Sequence, residues 1–370
     1  MNTNKKIVVA IIALVIAGGA FYFLTQPKKA VKKIEINNGN SKAESLPIAN
    51  QGPVSPISGL PCENWNRRPI AVMQPGDVAA RPDAGFSDAD MVFEMPVITA
   101  TITRLMGVYV CGNPDDVGSM RSARHDYVAL ASGLDAIFVH WGRSDIEAFK
   151  ERLNGGIIDN INCNGDAGKS ANACPDNPCY RKEETGTMRG VDTGYAKFGK
   201  IVQCAKDFGY RMENNFSGYP HQEEAPVDQR PSGGHLRVAF PGPFAAEYDY
   251  DKESNSYLRT WGNVIDIDRN NNKRMAPKNI VVAMAVSEQI EGQYNNVQVG
   301  DPWYDTSDSG EAFYYINGVE SKGNWKKDKS RLDSKMFFYD EAGQEIKFVP
   351  GQIWVEILEP GQTLRWTPSA

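Results

Sequence analysis

The chain has 370 residues, with 40 Lys+Arg against 46 Asp+Glu and 4 His, a formal net charge of −6. Six lysines and no acid fall in residues 1–33, so residues 34–370 carry 34 basic and 46 acidic groups, a net of −12. An acidic body excludes a nucleic-acid binder, whose affinity needs clustered Lys and Arg facing phosphates, and 23% charged with 10% aromatic residues excludes disorder for most of the chain.

Ile7 to Leu24 is an unbroken run of 18 uncharged residues, preceded by Lys5 and Lys6 and followed by Lys28, Lys29, Lys32 and Lys33. As a helix it would span roughly 27 Å, enough for a thin hydrocarbon core. Phe21, Tyr22 and Phe23 stand at its end, where an interfacial belt would lie. A cleaved signal peptide has only Gly18-Gly19-Ala20 as a cleavage site, and a lipoprotein signal lacks its cysteine, since the first is Cys62. Residues 1–33 are therefore expected to form a single uncleaved membrane anchor. Lysine count alone would hold the body inside. The very short N-terminal tail, which resembles a signal sequence, and the cysteines put it outside, as a single-pass cell-membrane protein with an extracytoplasmic body. Residues 34–60, rich in Asn, Gly, Ser and Pro, read as a disordered linker.

The six cysteines are Cys62, Cys111, Cys163, Cys174, Cys179 and Cys204. An even count behind an export-like N-terminus predicts disulfides, with 15 possible connectivities. No histidine accompanies the one close pair, Cys174 and Cys179, as a zinc site would need. The polar loop 159–180 cannot build a core and would need stapling.

Along the body, residues 61–215 mix strands and helices. Ile70–Met73, Met91–Phe93, Thr101–Val110 and Ala136–Val139 read as strands, and 124–134 has helical spacing. Ser144 and Glu147 have the spacing of a capping box opening a helix through Leu153. Tyr195, Phe198, Ile201, Val202, Ala205 and Phe208 follow a helical stripe that Gly209 would end. The Pro- and Gly-rich stretch 216–234 is a linker, and 235–365 reads as mainly antiparallel β. There, 247–250 with 257–261 is a hairpin, and Asn317-Gly318 is a strong hairpin turn. Phe337–Tyr339 and Glu345–Val349 pair, and Ile353–Leu358 closes the domain. The predicted class is α+β: a mixed α/β domain, then a mainly antiparallel β domain, behind one transmembrane helix.

Familiar motifs fail on geometry. Gly168-Lys169-Ser170 would need a glycine at 163, which is Cys163. Asp266-x-Asp268-x-Asn270 has Asn271 and Pro277 where a calcium loop needs Gly and Glu. No HExxH or GxSxG is present. Neither a cofactor nor a metal is expected.

Polar chemistry concentrates in Gly118–His125, between a strand and a helix. Arg121 and Arg124 are three apart, and Arg104, Ser122, His140 and Ser144 could join them at the carboxyl ends of strands, where α/β layers bind ligands. Three arrangements are open. The arginines could be structural partners of Glu94, Asp90 or Asp135. They could rim a pocket for a carboxylate or phosphate, with Glu94 as a supporting acid. Ser122 or Ser144 could be a nucleophile with His140 as its base.

Arg68-Pro69-Ile70-Ala71-Val72-Met73, the run Ala80 through Glu94, and Ile102-Thr103-Arg104 resemble the YerB-like family of predicted bacterial lipoproteins, whose function is unknown. Gly118-x-x-Arg121-Ser122-Ala123-Arg124 and Ala136-Ile137-Phe138-Val139-His140-x-Gly142-x-Ser144 are similar to its central motifs. Tyr257-x-Arg259, 276–282, Gly323-x-Trp325-Lys326-Lys327 and Phe338-Tyr339-Asp340-x-x-Gly343 extend the resemblance to about residues 60–360. It implies a mixed α/β domain followed by a largely β domain, displayed outside a cell membrane. The chain departs from the family in lacking the lipid-bearing cysteine, in Thr99-Ala100-Thr101, and in Val191-Asp192-Thr193 where Pro-His-Asn is expected; the cysteine loop looks like an insertion. The functional expectation is a cell-envelope binding or accessory module with an Arg-rimmed anion pocket. Its partners would be the membrane, through the N-terminal helix, and a cell-wall or other anionic envelope ligand. The alternative is an envelope hydrolase or transferase using His140 and a serine.

Overall fold

The computed structural model describes residues 52–97, 102–186, 188–291 and 294–369. The apolar run 7–24, its flanking lysines and residues 34–51 lie outside the described residues. No helix among the described residues is long and apolar enough to cross a membrane. The protein is mainly β with few helices, mixed in its first part and built of sheets later.

Ten strands form one mixed sheet. Its order is Phe337–Asp340, Val319–Lys326, Ser309–Ile316, Asn279–Met284, Ile353–Leu358, Met91–Pro96, Thr103–Tyr109, Ile70–Gly76, Ile137–His140 and Asn160–Asn162. The strands 70–76, 91–96, 103–109 and 353–358 are buried at every position. A strand covered on both faces selects a continuous apolar run over alternation, which is why Thr103–Tyr109 does not expose a polar face. The sheet is continuous across the two sequence halves. Ile353–Leu358, from the last part of the chain, runs parallel to both Asn279–Met284 and Met91–Pro96. A second, antiparallel sheet is ordered Val264–Ile265, Ser256–Trp261, Ala246–Asp251, Gly234–Ala239, Thr363–Pro368. A third joins Asp116–Gly118, Gly194–Lys197 and Cys179–Arg181.

The Asn317-Gly318 hairpin forms as expected, both residues at positive φ, +54° and +75°. Several expectations need correction. Residues 53–60 are not linker: Ile57 is buried, and the Ser55 and Ser58 hydroxyls donate to buried Asp90 at 2.7 and 2.5 Å. The stretch 216–234 is held as well, with Phe216 and Tyr219 in the core and the Tyr219 hydroxyl donating to the Met336 carbonyl. The capping box does not form. Helix Glu147–Asn154 has Ile146 at its cap, and Ser144 Oγ instead accepts the Ile146 amide at 3.3 Å. Tyr195 belongs to a strand, paired with Gly118 and Tyr180, so its helix begins at Phe198. Phe337–Asp340 meets 345–349 through a single bridge, Tyr339 with Glu345. Thr363–Pro368 follows Ile353–Leu358, pairing with Gly234–Ala239.

The seam between the halves carries the most expensive chemistry in the interior. Glu94 and Glu356 are direct partners on adjacent parallel strands, and both are fully buried. Like charges so placed repel. Arg259, also fully buried, resolves the conflict: its Nη2 donates to Glu94, its Nη1 to Asp266, and its Nε to the Tyr248 hydroxyl at 3.0 Å. Tyr248 donates in turn to Glu356. Trp261 Nε1 and Thr103 Oγ1 donate to Glu94 Oε1 at 3.1 and 2.6 Å. Arg81 adds a second guanidinium on Asp266 at 3.0 Å and lies 4.3 Å over the Trp261 ring. Burial, then repulsion from Glu94, pushes Glu356 up to about 8. Burial also pushes Asp83 up to about 8, against the pull of Arg81. Both acids thus hold their protons well above the ordinary carboxyl range, which eases the crowding of acids around Arg259 and Arg81.

Arg259→Met would strip Glu94 and Asp266 of their shared counter-charge. The expected cost is about 3–5 kcal/mol in urea unfolding; a cost under about 1 kcal/mol would contradict the network's structural role. The acids with raised folded values also set a pH slope. They bind protons more tightly folded than unfolded, so they favour the native state fully below their ordinary values, 4.5 for Glu356 and 3.8 for Asp83, and lose that advantage as pH rises to about 8. Unfolding free energy should fall across that window, and Glu356→Gln should make the fall shallower; parallel slopes would show that Glu356 is not the group concerned.

Candidate anion site

The segment 119–124 has no regular structure, yet its backbone is held by hydrogen bonds. The Met120 amide donates to the Gly194 carbonyl at 2.8 Å and the Arg121 amide to Met73 at 2.9 Å. The Trp141 amide donates to the Arg121 carbonyl at 2.9 Å, and the Ala123 amide to Gly142 at 3.0 Å. Gly142 sits at φ +83° and directs its amide to Asn162 Oδ1 at 3.1 Å. Thus the run after strand Asp116–Gly118 and the turn after strand Ile137–His140 are laced together.

Above them lies a cleft of about 500 Å³. Its walls include Arg104 from strand Thr103–Tyr109, Arg121, Ser122 and Arg124 from the run after Asp116–Gly118, Arg143 from the turn, and Arg181 and Arg189 from the segment behind the cysteine loop. Six arginines meet three aspartates there, Asp77, Asp145 and Asp166. A larger open groove of about 590 Å³ on the outer hairpins is lined by Glu311, Asp340 and Glu341 against Lys326. Its net charge has the negative sign of the body as a whole.

The arginines are held by design of the surroundings. Arg104 and Arg124 are 9% and 5% exposed. Arg104 Nη1 donates to the Ser122 carbonyl and Arg124 Nη1 to the Ala123 carbonyl, each at 2.8 Å. Arg121 donates to Asp192 and to the Val191 carbonyl. Arg189 reaches the same carboxylate through Nε at 2.8 Å and also bonds Asp77. Burial alone would raise Asp192, but the bonds from Arg189 and Arg121 outweigh it and hold the carboxyl at about 2. Arg181 lies 4.7 Å over the Trp141 ring and donates to the Gly190 carbonyl at 2.7 Å. Asp192 is thus the hinge on which two opposite walls are oriented.

The remaining candidates lie elsewhere. His140 is fully buried; its Nδ1 donates to the Gly142 carbonyl at 2.7 Å and its Nε2 faces Asn160 Oδ1 at 3.4 Å. Burial lowers its proton affinity, partly offset by those two partners. Neither nitrogen opens onto the cleft, whose lining also omits Ser144. Glu94 belongs to the Arg259 network. Asp90 accepts two serine hydroxyls and the amides of Val110 and Cys111, and Asp135 takes Arg211 at 2.5 Å. The acids suggested as structural partners are therefore engaged by other groups. Sequence reasoning missed Arg143, Arg181, Arg189 and Asp192. Only the long-range strand pairing of Cys179–Arg181 with Gly194–Lys197 brings the last three here. Among the described residues no His, Cys, Asp or Glu group could hold a metal.

All six cysteines pair, as Cys62–Cys111, Cys163–Cys179 and Cys174–Cys204. The second bridge closes the loop that carries Asn164 and Asp166 to the cleft, two residues before Arg181; the third ties that loop to helix Phe198–Asp207. A polar loop without core depends on such closure, each bridge contributing about 2–4 kcal/mol. Reduction, or Cys163→Ser/Cys179→Ser, should lower the melting temperature and speed proteolysis within 164–178. Unchanged cleavage and melting would show that the loop holds its place without the bridge.

Residues 57–211 match the family "Protein of unknown function (DUF3048) N-terminal domain", and residues 236–355 match its C-terminal domain. The chain is 28% identical over 311 residues to "Putative lipoprotein YerB" of Bacillus subtilis (strain 168), covering 82% of this chain and 86% of that protein. The crystal structure of YerB from Bacillus subtilis superposes with a TM-score of 0.70 at 26% identity, over 85% of this chain and 99% of that one. The resemblance read from the motifs holds in sequence and in fold, and the chain belongs to the DUF3048 family, whose function is unknown.

Proposed function

We propose that the chain is a membrane-associated, extracytoplasmic binding protein of the cell envelope whose cleft captures an anionic group. The observation that carries this is the concentration of six arginines in one cleft of a body with net charge −12. In an acidic protein a random surface would repel an anion. A cleft lined by one sign of charge focuses the field locally and raises the ligand's concentration there. Fork-shaped guanidiniums then supply bidentate bonds to carboxylate or phosphate. Three disulfides support an oxidising compartment. The relative's description as a lipoprotein, and the apolar run 7–24, support attachment to a membrane. Binding is preferred to catalysis because the cleft offers oriented cations, while His140, the base of the catalytic alternative, is sealed beneath it.

The test is calorimetric titration of the 370-residue chain, disulfides intact, with soluble muropeptides and with glycerol-phosphate oligomers. Saturable binding is expected to one of these, weakening at least ten-fold in Arg121→Ala/Arg124→Ala and falling with added salt. The variant's near-ultraviolet circular dichroism should stay native. Equal binding by the native-like variant, or no binding of either anion class, would overturn the proposal.

A further inference from the structure

Four Asn-Gly pairs occur in the chain, beginning at Asn38, Asn154, Asn164 and Asn317. The first lies outside the described residues. Such a pair carries chemistry of its own. The glycine amide nitrogen can attack the asparagine side-chain carbonyl, because glycine has no Cβ to block the approach. The attack needs two free groups: a carboxamide that is not held elsewhere, and an amide N–H that is not already donating.

Two of the described pairs lack both. The Gly155 amide donates to the Glu151 carbonyl at 2.8 Å, and Asn154 Oδ1 accepts the Gly168 amide at 2.8 Å. The Gly318 amide donates to the Tyr257 hydroxyl at 2.9 Å, and Asn317 Oδ1 accepts Asn255 Nδ2 at 2.8 Å. Asn164-Gly165 differs. Both residues are exposed, and Gly165 sits at φ +74°. Among the described residues, neither the Asn164 carboxamide nor the Gly165 amide has a hydrogen-bond partner. The surroundings are fixed while the reacting groups are not. Cys163 is bridged to Cys179, and Asn162 accepts the Asn164 amide at 2.9 Å and donates to Asp166 at 2.6 Å. The pair is thereby held at the cleft, whose wall includes Asn164 and Asp166.

We infer that Asn164 is a site of self-modification, converting in water to aspartate or isoaspartate and adding a negative charge to the cleft. The Gly165 nitrogen loses its proton to hydroxide and bonds to Asn164 Cγ; ammonia leaves, and a five-membered imide closes. Water then opens either imide C–N bond. One water is consumed and one ammonia released, with no oxidant or reductant. Either product places a carboxylate where a neutral amide stood beside the arginines, joining the three aspartates already in the wall. The added charge opposes capture of an anion. That consequence rests on the anion-binding reading above; the modification does not.

Incubation of the 370-residue chain, disulfides intact, in heavy-oxygen water marks each event with one solvent oxygen, which peptide mass spectrometry locates. Label at residue 164 should exceed that at 154 and at 317 at least ten-fold, rise from pH 6 to pH 9, and fall at least ten-fold in Asn164→Gln. Equal label at the three pairs, or an unlabelled residue 164, overturns the assignment. Asn164→Asp, with native near-ultraviolet circular dichroism, should bind muropeptides or glycerol-phosphate oligomers at least two-fold more weakly than the unmodified chain. Equal binding overturns the effect on capture while the modification stands. Absence of binding by the unmodified chain overturns the reading on which that effect rests, and the labelling result still decides the modification.

Discussion

Arg259 lies fully buried between Glu94, Asp266 and Glu356, and most of the architecture follows from keeping it satisfied. An isolated guanidinium could not be held there; the desolvation cost demands paired carboxylates and further hydrogen bonds. The partners come from separate parts of the chain. Glu94 is on a strand of the first half, Glu356 on the last strand of the large sheet, and Arg259 on the second sheet. Their pairing therefore fixes the halves against each other, which a two-domain reading of the sequence does not require. The same constraint reaches the cleft. Thr103 donates to Glu94, and the next residue, Arg104, forms part of the cleft wall. Arg81 bridges to Asp266, and buried Asp83 interacts electrostatically with both Arg81 and Arg121.

The cleft inverts the character of the body around it. Its arginines are oriented by backbone carbonyls and by Asp192; for the anion capture proposed above, such preorganisation is where binding free energy would be retained. One wall comes from the core sheet and needs no help. The other comes from a polar segment that cannot bury enough surface to order itself, and two disulfides take the place of a core there. Dependence on an oxidising compartment is thus built into the site.

Much of this was legible in the sequence, for reasons that differ by element. Strands such as 70–76 and 279–284 announce themselves as apolar runs, and Asn317-Gly318 fixes its turn through positive φ alone. Arg121, Ser122, Arg124 and Arg104 drew notice because an arginine cluster is unusual in an acidic chain. Arg181, Arg189 and Asp192 gave no signal, since they reach the cleft only through strand pairing near a disulfide loop. Asp192 falls in the run where the chain departs from the family resemblance, a hint that this segment does something particular here. The linker boundaries failed because polar, Pro-rich composition does not reveal that Ser55, Ser58 and Tyr219 find buried partners. His140 misled for the opposite reason: a histidine at the end of a buried strand looks poised for chemistry, while its bond to Gly142 makes it part of the scaffold.

The most direct measurement is a crystal structure of the chain grown with glycerol-phosphate oligomers at low ionic strength. Density for a phosphate group against Arg121 and Arg124, with Asp192 still bonded to Arg121 and Arg189, is the expected result. An empty cleft in crystals whose phosphate sits on surface lysines or in the outer hairpin groove would contradict the assignment of this cleft as the protein's anion site.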